Sequence, residues 1–334
     1  MKAVVYHKYG TADNLKVAEI EKPAPKDDEV LVKTYAASVN AADWRLLGAK
    51  PFFIRFAAGL FKPRNTILGG DVAGVVESVG KSVTRFKPGD EVYGCLDSCG
   101  KGGLAAGGFA EYVCAKEGVL AGKPTAISFE EAAALPMAAV TALQGLRDLG
   151  KIQAHSKVLI NGASGGVGSF AVQIAKAFGA EVTGVCSTDS MEFVRSLGAD
   201  HVIDYTEKDF TRNGQRYDLI LDIAASHAAN DYRRSLNPNG ICVVVSVTAT
   251  RYMLRFLFTT KRDGKTIRLL TANNTKSEDL LTLNRLIEDG KLKPAIDSQY
   301  SLDGVAEAIR HVETGHPRGK VIIQIAALCL SPVR

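Results

Sequence analysis

The eight residues NGASGGVG, 161–168, sit between the run KVLI (157–160) and the segment SFAVQIAKAFGA (169–180). Four of the eight are glycine, so the stretch offers almost no side chain for chemistry. KVLI is short and apolar, as a buried strand is. After the glycines, Val167, Phe170, Ala171, Ile174, Ala175 and Phe178 recur at i, i+3, i+4 spacing. That spacing predicts a helix with one apolar stripe, ended by Gly179. The glycines then form a strand-to-helix turn. Backbone N–H groups that open such a helix lack partners within it and stand at the positive end of its dipole. With Cβ atoms removed, the oxygens of a pyrophosphate reach those groups. The motif is Ala163-x-Gly165-x-x-Gly168, with alanine in the first glycine's place. Ala163, Ser164, Gly165, Gly166, Val167 and Gly168 are the expected contacts to a dinucleotide.

A glycine cluster alone is weak evidence, since most are only turns. Here the following segments repeat the theme. EVTGVC is a second strand and SMEFVRSLGAD a helix; HVIDY is a third strand and YDLILDIA a fourth. The helix AANDYRRSL closes on the turn NPNG before the strand ICVVVSV, and TIRLLTA is the sixth strand. Alternating short apolar strands and helices predict an α/β fold with a doubly wound, parallel six-stranded Rossmann sheet. In that context the dinucleotide reading outweighs a flavodoxin-like sheet with an idle turn.

An NAD site usually carries an acid about 20 residues past the glycines, bonded to the ribose 2′-hydroxyl. That place reads CSTDS, where Ser187 takes the acid's position and Thr188 adds a second hydroxyl. Hydroxyls accept a 2′-phosphate that a carboxylate repels, so NADP(H) is expected and NAD(H) is the alternative. Asp189 runs against this unless it only caps the next helix. No Lys or Arg follows immediately.

The first 126 residues read differently. AVVYHKYG, LKVAEIEKP, EVLVKTYAASVN, GDVAGVVESVG and DEVYGCL are β-rich runs broken by Gly, Pro and Asp, with KPGDEV a tight turn. From FEEAAALPMAAVTALQGLRDLG onward the chain turns helical and enters the Rossmann part. The helices SEDLLTLNRLIEDG and LDGVAEAIRHVETG and the strand GKVIIQI follow it, the strand returning to the first part. The expected domains are 1–126 with 273–334, and 127–272.

Charge excludes less than pattern does. With 41 basic and 36 acidic residues the net charge is +5, too dispersed to suggest nucleic acid. MKAVVYHKYG lacks a signal peptide's apolar core, and no run of about 18 apolar residues marks a membrane span, so the cytoplasm is expected. The six cysteines are scattered, and reduced thiols are expected. Cys95 and Cys99 form the only close pair, C-x3-C, with no second pair to complete a zinc site. The six histidines are isolated.

Taken in order, KPGDEVYG, EEAAALPMAAVTALQGL, VLINGASGGVGSFAVQIAKAFGAEVTGVCST, SLGADHVIDY and GKVIIQI resemble the medium-chain dehydrogenase/reductase superfamily over nearly the full length. The resemblance implies a GroES-like β-rich domain, a Rossmann domain and a return. The chain is similar to the zinc-free quinone oxidoreductases and enone reductases. SVNAADW and DVAGVVESVG resemble the chloroplast-envelope quinone oxidoreductase homologues. Zinc alcohol dehydrogenases of the superfamily hold their metal with a Cys in C-x-x-D, a His in G-H-E and a later Cys or acid. The matching runs are SVNAAD, LGGDVAG and LPMAAVT, which put Asn40, Gly70 and Met137 at those places. An amide, a hydrogen and a thioether do not make a zinc site, so no metal is expected.

The resemblance implies NADPH-dependent reduction of a hydrophobic quinone or α,β-unsaturated carbonyl by metal-free hydride transfer, in a homodimer. Such an acceptor needs orientation and modest oxyanion stabilisation, and water can supply the proton. Asn40 is expected to face the nicotinamide or the substrate oxygen, or else to be a strand-end turn amide. Asp43 and Thr141 join Asn40 as the expected catalytic-site residues: Asp43 to buttress that loop or bond a neighbouring backbone N–H, ahead of a role as catalytic acid, and Thr141 near the nicotinamide ribose, while Trp44 is either a pocket wall or core. Tyr205 is expected at the 2′-phosphate, and Lys320, which opens GKVIIQI, at the cofactor. The competing reading is a catalytically idle nucleotide-sensing, RNA-binding or adaptor protein that keeps the site. Two segments, 49–64 (AKPFFIRFAAGLFKPR) and 251–262 (RYMLRFLFTTKR), mix aromatic and basic residues. Covering a substrate cleft is the favoured role for them, ahead of an anionic membrane surface or a subunit contact. The tail AALCLSPVR has no assigned role.

Overall fold

The computed structural model describes residues 1–52, 54–96, 107–245, 261–270 and 275–326. The segment 251–260, Cys99 and the tail from 327 lie outside the described residues.

Strand β1 (Lys2–Val5) pairs with β2 (Lys16–Glu19) as a small antiparallel sheet. The long β3 (Glu29–Val39), β4 (Asp71–Val79), β5 (Glu91–Cys95), β6 (Tyr112–Lys116) and β7 (Leu120–Gly122) form an antiparallel array. Helix α1 (Ala41–Gly48) leaves the end of β3, and the short α2 (Ile54–Ala58) follows. Helices α3 (Phe129–Ala133) and α4 (Pro136–Leu143) then lead into the second sheet. Ser128 caps α3 by accepting the Glu131 N–H at 3.2 Å while Glu131 accepts the Ser128 N–H at 2.9 Å.

The second sheet contains β8 (Lys157–Asn161), β9 (Glu181–Cys186), β10 (His201–Asp204), β11 (Tyr217–Asp222), β12 (Leu236–Val245), β13 (Lys261–Arg262) and β14 (Lys265–Leu270). The order is β10-β9-β8-β11-β12-β14-β13. The first six are parallel, and β13 adds an antiparallel edge that the sequence did not reveal. β12 also starts earlier than expected. It runs through NPNG with Asn239 at φ 64, and its register against β11 slips between Tyr217 and Leu219. The turn residues are there, but they bulge a strand rather than precede it.

Helix α5 (Gly166–Ala177) crosses between β8 and β9. Gly179, at φ +78, ends it as expected, with the Ala180 N–H donating back to the Ala175 carbonyl. Strand order reverses at β8, whose neighbours are β9 and β11, so a crevice opens above the glycine turn. Helices α6 (Met191–Ser196) and α7 (Ala229–Arg234) make the later crossings.

After β14 the chain forms α8 (Ser277–Glu288), β15 (Ile296–Ser301), α9 (Val305–Glu313) and β16 (Lys320–Gln324). The last strand returns to the first sheet, pairing Val321 with Val39 through to Gln324 with Ala36. The Tyr93 hydroxyl ties β5 to α8 through Asn284 Oδ1 at 2.6 Å. Cys95, Cys186 and Cys242 are buried and Cys114 is half-buried, and none of these four forms a disulfide. Burial pushes the Cys114 and Cys186 thiols up to about 11.

Gly168 packs α5 against the turn. A Cβ there would lie 2.0 Å from the Gly162 carbonyl oxygen and 2.7 Å from Ala163 Cα, both backbone atoms. Gly168→Ala is therefore expected to destabilise the protein by about 1–3 kcal/mol in urea unfolding. Gly118→Ala, where a Cβ meets nothing within 4 Å, is the control and should be near neutral.

Candidate active site

The glycine turn lies at the carboxyl end of β8. Gly162 takes φ +87, and a Cβ on Gly165 would meet only the Gly162 oxygen, at 3.7 Å. That side of the turn is thus open, and what it faces is a cleft of about 420 Å³. Gly162, Ser164 and Gly165 form its floor; Ser187, Asp189, Ser190 and Tyr205 form one wall; Gly315, His316, Pro317 and Arg318 form another. The turn fits a pyrophosphate: bare backbone, the opening N–H groups of a twelve-residue helix, and open space above them.

The wall from 315 to 318 comes from the distant end of the chain. Two contacts seat it. The Gly319 N–H donates to the Ser164 carbonyl at 3.0 Å, and the Arg318 N–H donates to Asp297 Oδ1 at 2.7 Å. His311 Nε2 bonds the other oxygen of Asp297 at 2.7 Å. Burial raises the Asp297 carboxyl, but these hydrogen bonds and the His311 charge hold it below the usual carboxylate range. The sequence offered no signal for Arg318 or His316, because neither lies near the glycines or CSTDS.

A second group of polar residues lies buried where β3, β4, α4 and β16 meet. Asp71 is fully buried and gathers the others. It accepts from Ser38 Oγ at 2.7 Å, Asn40 Nδ2 at 2.9 Å and the Met137 N–H at 2.9 Å. Lys320 Nζ stands 3.6 Å away and also donates to Asn40 Oδ1 and, at 3.4 Å, to the Val39 carbonyl. Asp43 sits beside them, accepting the Asn40 N–H at 2.7 Å and the Gly69 N–H at 3.0 Å. Two acids and one cation thus share a buried space. Burial pushes Asp43 up to about 7 despite its two N–H donors, and burial lowers the Lys320 ammonium despite Asp71 and Asp43.

The structure therefore brings Asn40, Gly70 and Met137, the three positions that match metal ligands, together around Asp71. Among the described residues no three His, Cys, Asp or Glu side chains converge as a metal site requires. The Asn40 amide N–H bonds go to Asp71 and to the Ser38 carbonyl at 3.4 Å, so they are committed within the protein. The Thr141 hydroxyl donates to the Met137 carbonyl at 2.6 Å, one turn back in α4. Trp44 packs with the core cluster that holds Leu46 and Leu47.

Ala163 is fully buried beneath the turn, and Val167 packs inward from α5. Ser187 and Tyr205 line the cleft, Tyr205 being 55% exposed. Two expected cofactor residues stand elsewhere. The Thr188 hydroxyl bonds to Asp204 and lies 3.3 Å from that of Thr206. The Lys320 stem passes behind the turn, its Cδ 3.1 Å from where a Cβ on Gly166 would sit, and its ammonium joins Asn40. Asp204 holds the Thr188 hydroxyl, and Asn40 with Asp71 nearby holds the Lys320 ammonium. Asp71 escaped the sequence reading although it follows Gly70 directly, in the place of the acid of the family's G-H-E run.

These features define a medium-chain dehydrogenase/reductase, and the chain belongs to that superfamily. Residues 26–125 match the alcohol dehydrogenase GroES-like domain, and residues 197–323 match the zinc-binding dehydrogenase family. Relatives that match nearly all of this chain include proteins named as quinone, furanone and alkenal/one reductases. A 2-methylene-furan-3-one reductase of Solanum lycopersicum is 38% identical over 330 residues, covering 97% of this chain and 79% of that protein. An NADPH-dependent alkenal/one oxidoreductase of Arabidopsis thaliana, chloroplastic, is 37% identical over the same shares of the two chains. The solved quinone oxidoreductase of Coxiella burnetii superimposes with a TM-score of 0.86 at 29% identity, covering 98% of this chain and 99% of that one.

Two outcomes follow from the site's geometry. Gly165→Val fills the open side of the turn without a backbone clash, so the variant should fold normally and bind dinucleotide at least about tenfold more weakly in fluorescence titration. Asp43 has a linkage signature. Its carboxyl rises from 3.8 to about 7 on folding, so between those values the folded state holds the proton that the unfolded state has released. Its contribution therefore falls as pH rises from 3.8 to about 7 and is flat above. Urea unfolding of wild type and Asp43→Asn across this range should show the wild type's advantage shrinking with rising pH.

Proposed function

We propose that the protein uses NADPH to reduce hydrophobic quinones or α,β-unsaturated carbonyls, by hydride transfer that needs no metal. The observation that carries the metal-free part is the fate of the three ligand positions. An amide, a glycine and a thioether residue are gathered on Asp71, where a zinc enzyme has thiolate and imidazole. The relatives named for furanone, alkenal and quinone reduction support the substrate class.

The bound nicotinamide supplies the hydride. The protein's part is positioning. The glycine turn and α5 take the pyrophosphate, and the cleft walls take the adenosine end. The cluster on Asp71 fixes the ends of β3 and β16 next to the turn. With the side-chain donors of Asn40 and Thr141 already committed, proton delivery to the reduced acceptor falls to water, which suits an electron-poor acceptor. Arg318, with Ser187 and Tyr205, supports a preference for NADPH, because a guanidinium suits a phosphate. Asp189 on the same wall opposes it. We further propose a homodimer, to be checked by sedimentation.

The test is NADPH and NADH oxidation against a panel of quinones and enones, with zinc measured on the same sample. Turnover without stoichiometric zinc is expected, insensitive to chelator. NADPH should bind about ten- to thirtyfold tighter than NADH. Arg318→Ala should remove most of that preference while leaving NADH affinity nearly unchanged. One zinc per chain lost together with activity, or tighter binding of NADH by the wild type, would overturn the corresponding part.

A further inference from the structure

Four of the seven large apolar side chains that stand exposed among the described residues lie within ten positions of one another. Phe52 is 63% exposed, Phe56 67%, Leu60 44% and Phe61 90%. The sequence suggested that this segment roofs a substrate cleft. In the structure these four side chains are exposed, and none of them lines the cleft over the glycine turn. Helix α2 lays Ile54 and Ala58 against the core cluster of Leu46, Leu47 and Leu68. Phe52 and Phe56 are left on the outer side, edge to face at 6.3 Å. The Arg55 guanidinium stands over the Tyr9 ring at 4.9 Å, and the Tyr9 hydroxyl donates to the Gly59 carbonyl at 2.7 Å. These contacts pin the helix from below.

Gly59 makes the protrusion. It takes φ +123, and a Cβ there would lie 2.1 Å from the Lys62 carbonyl oxygen. The chain doubles back on this residue, the Arg64 N–H reaching the Ala58 carbonyl at 2.8 Å, and Leu60 and Phe61 are thrown out at the fold of the hairpin.

Charge decides what could cover this surface. From Trp44 to Gly70 the chain has five basic residues, Arg45, Lys50, Arg55, Lys62 and Arg64, and no acid. Lys50, Lys62 and Arg64 are exposed, and none of the ion pairs among the described residues uses them. Two copies joined about a two-fold axis through this patch would set these cations against their own images. A partner that takes bare phenylalanines at its apolar level and lysines and arginines at an anionic level is the interface of a phospholipid bilayer. We propose that residues 50–52 and 54–64 dock the protein reversibly on anionic membranes, the rings of Phe52, Phe56 and Phe61 entering among the acyl chains while Lys50, Lys62 and Arg64 face the headgroups.

Cosedimentation with phosphatidylcholine vesicles, with and without phosphatidylserine, tests this. The protein should pellet with the anionic vesicles, and raised salt should release it. Phe56→Ser with Phe61→Ser should lower the partition coefficient at least about tenfold, as should Lys62→Ser with Arg64→Ser. Both pairs lie on the surface, so unfolding midpoints should match the wild type. Failure to bind anionic vesicles at low salt overturns the proposal. So does binding that both variants retain. A Phe56→Ser, Phe61→Ser protein whose oligomeric state drops while lipid binding stays the same would assign the patch to a contact between copies. Capture by an acidic protein surface without vesicle binding would assign it to such a partner.

Discussion

Four antiparallel pairs, from Val321 with Val39 to Gln324 with Ala36, attach the last strand of the chain to the longest strand of the first sheet. The rest of the site depends on that attachment. It sets Lys320 across from the end of β3, so that an ammonium from the chain's end reaches Asn40, the Val39 carbonyl and Asp71. One residue earlier, the Gly319 N–H holds the Ser164 carbonyl of the glycine turn. A single length of backbone therefore fastens the phosphate turn of the second sheet to the polar loop of the first.

The charges beneath this junction are costly alone and tolerable together. A buried carboxylate without partners would be displaced towards its neutral form or destabilise the fold. Asp71 instead gathers a hydroxyl, an amide and a backbone N–H, and has Lys320 nearby. Asp43 has backbone donors from two different segments, which fixes the start of α1 against the approach to β4. In metal-dependent members of the superfamily an ion would organise these loops. In this chain a ring of hydrogen bonds links the same positions. The amide of Asn40 spends both its N–H groups inside this ring, on Asp71 and the Ser38 carbonyl.

What could be read from the sequence was what is local. The strand-turn-helix at 157–179 carries its own periodicity and its own stop at Gly179, and the structure reproduces both. The fold class, the parallel order of six strands and the return of GKVIIQI were equally legible, since each rests on short-range pattern or on the order of motifs. NPNG misled because turn chemistry says how backbone bends, not whether pairing continues through the bend. Thr188 and Lys320 show a second limit. Their positions in the chain were read correctly, but a side chain goes to its strongest partner, and the partners Asp204 and Asn40 are only brought near by folding. Arg318 shows the third: a wall formed about 150 residues away from the glycines leaves no trace in their vicinity.

The return of the last strand also governs when the protein can first work. Every element of the glycine turn is synthesised by residue 179, yet its clamp at Gly319 and the cation for Asp71 arrive only about 140 residues later. While the ribosome still holds that stretch, β3 exposes one edge and Asp43 and Asp71 lack their counter-charge. A growing chain that lacks this stretch carries an unpaired edge, the kind of surface that pairs with other chains or is covered by chaperones.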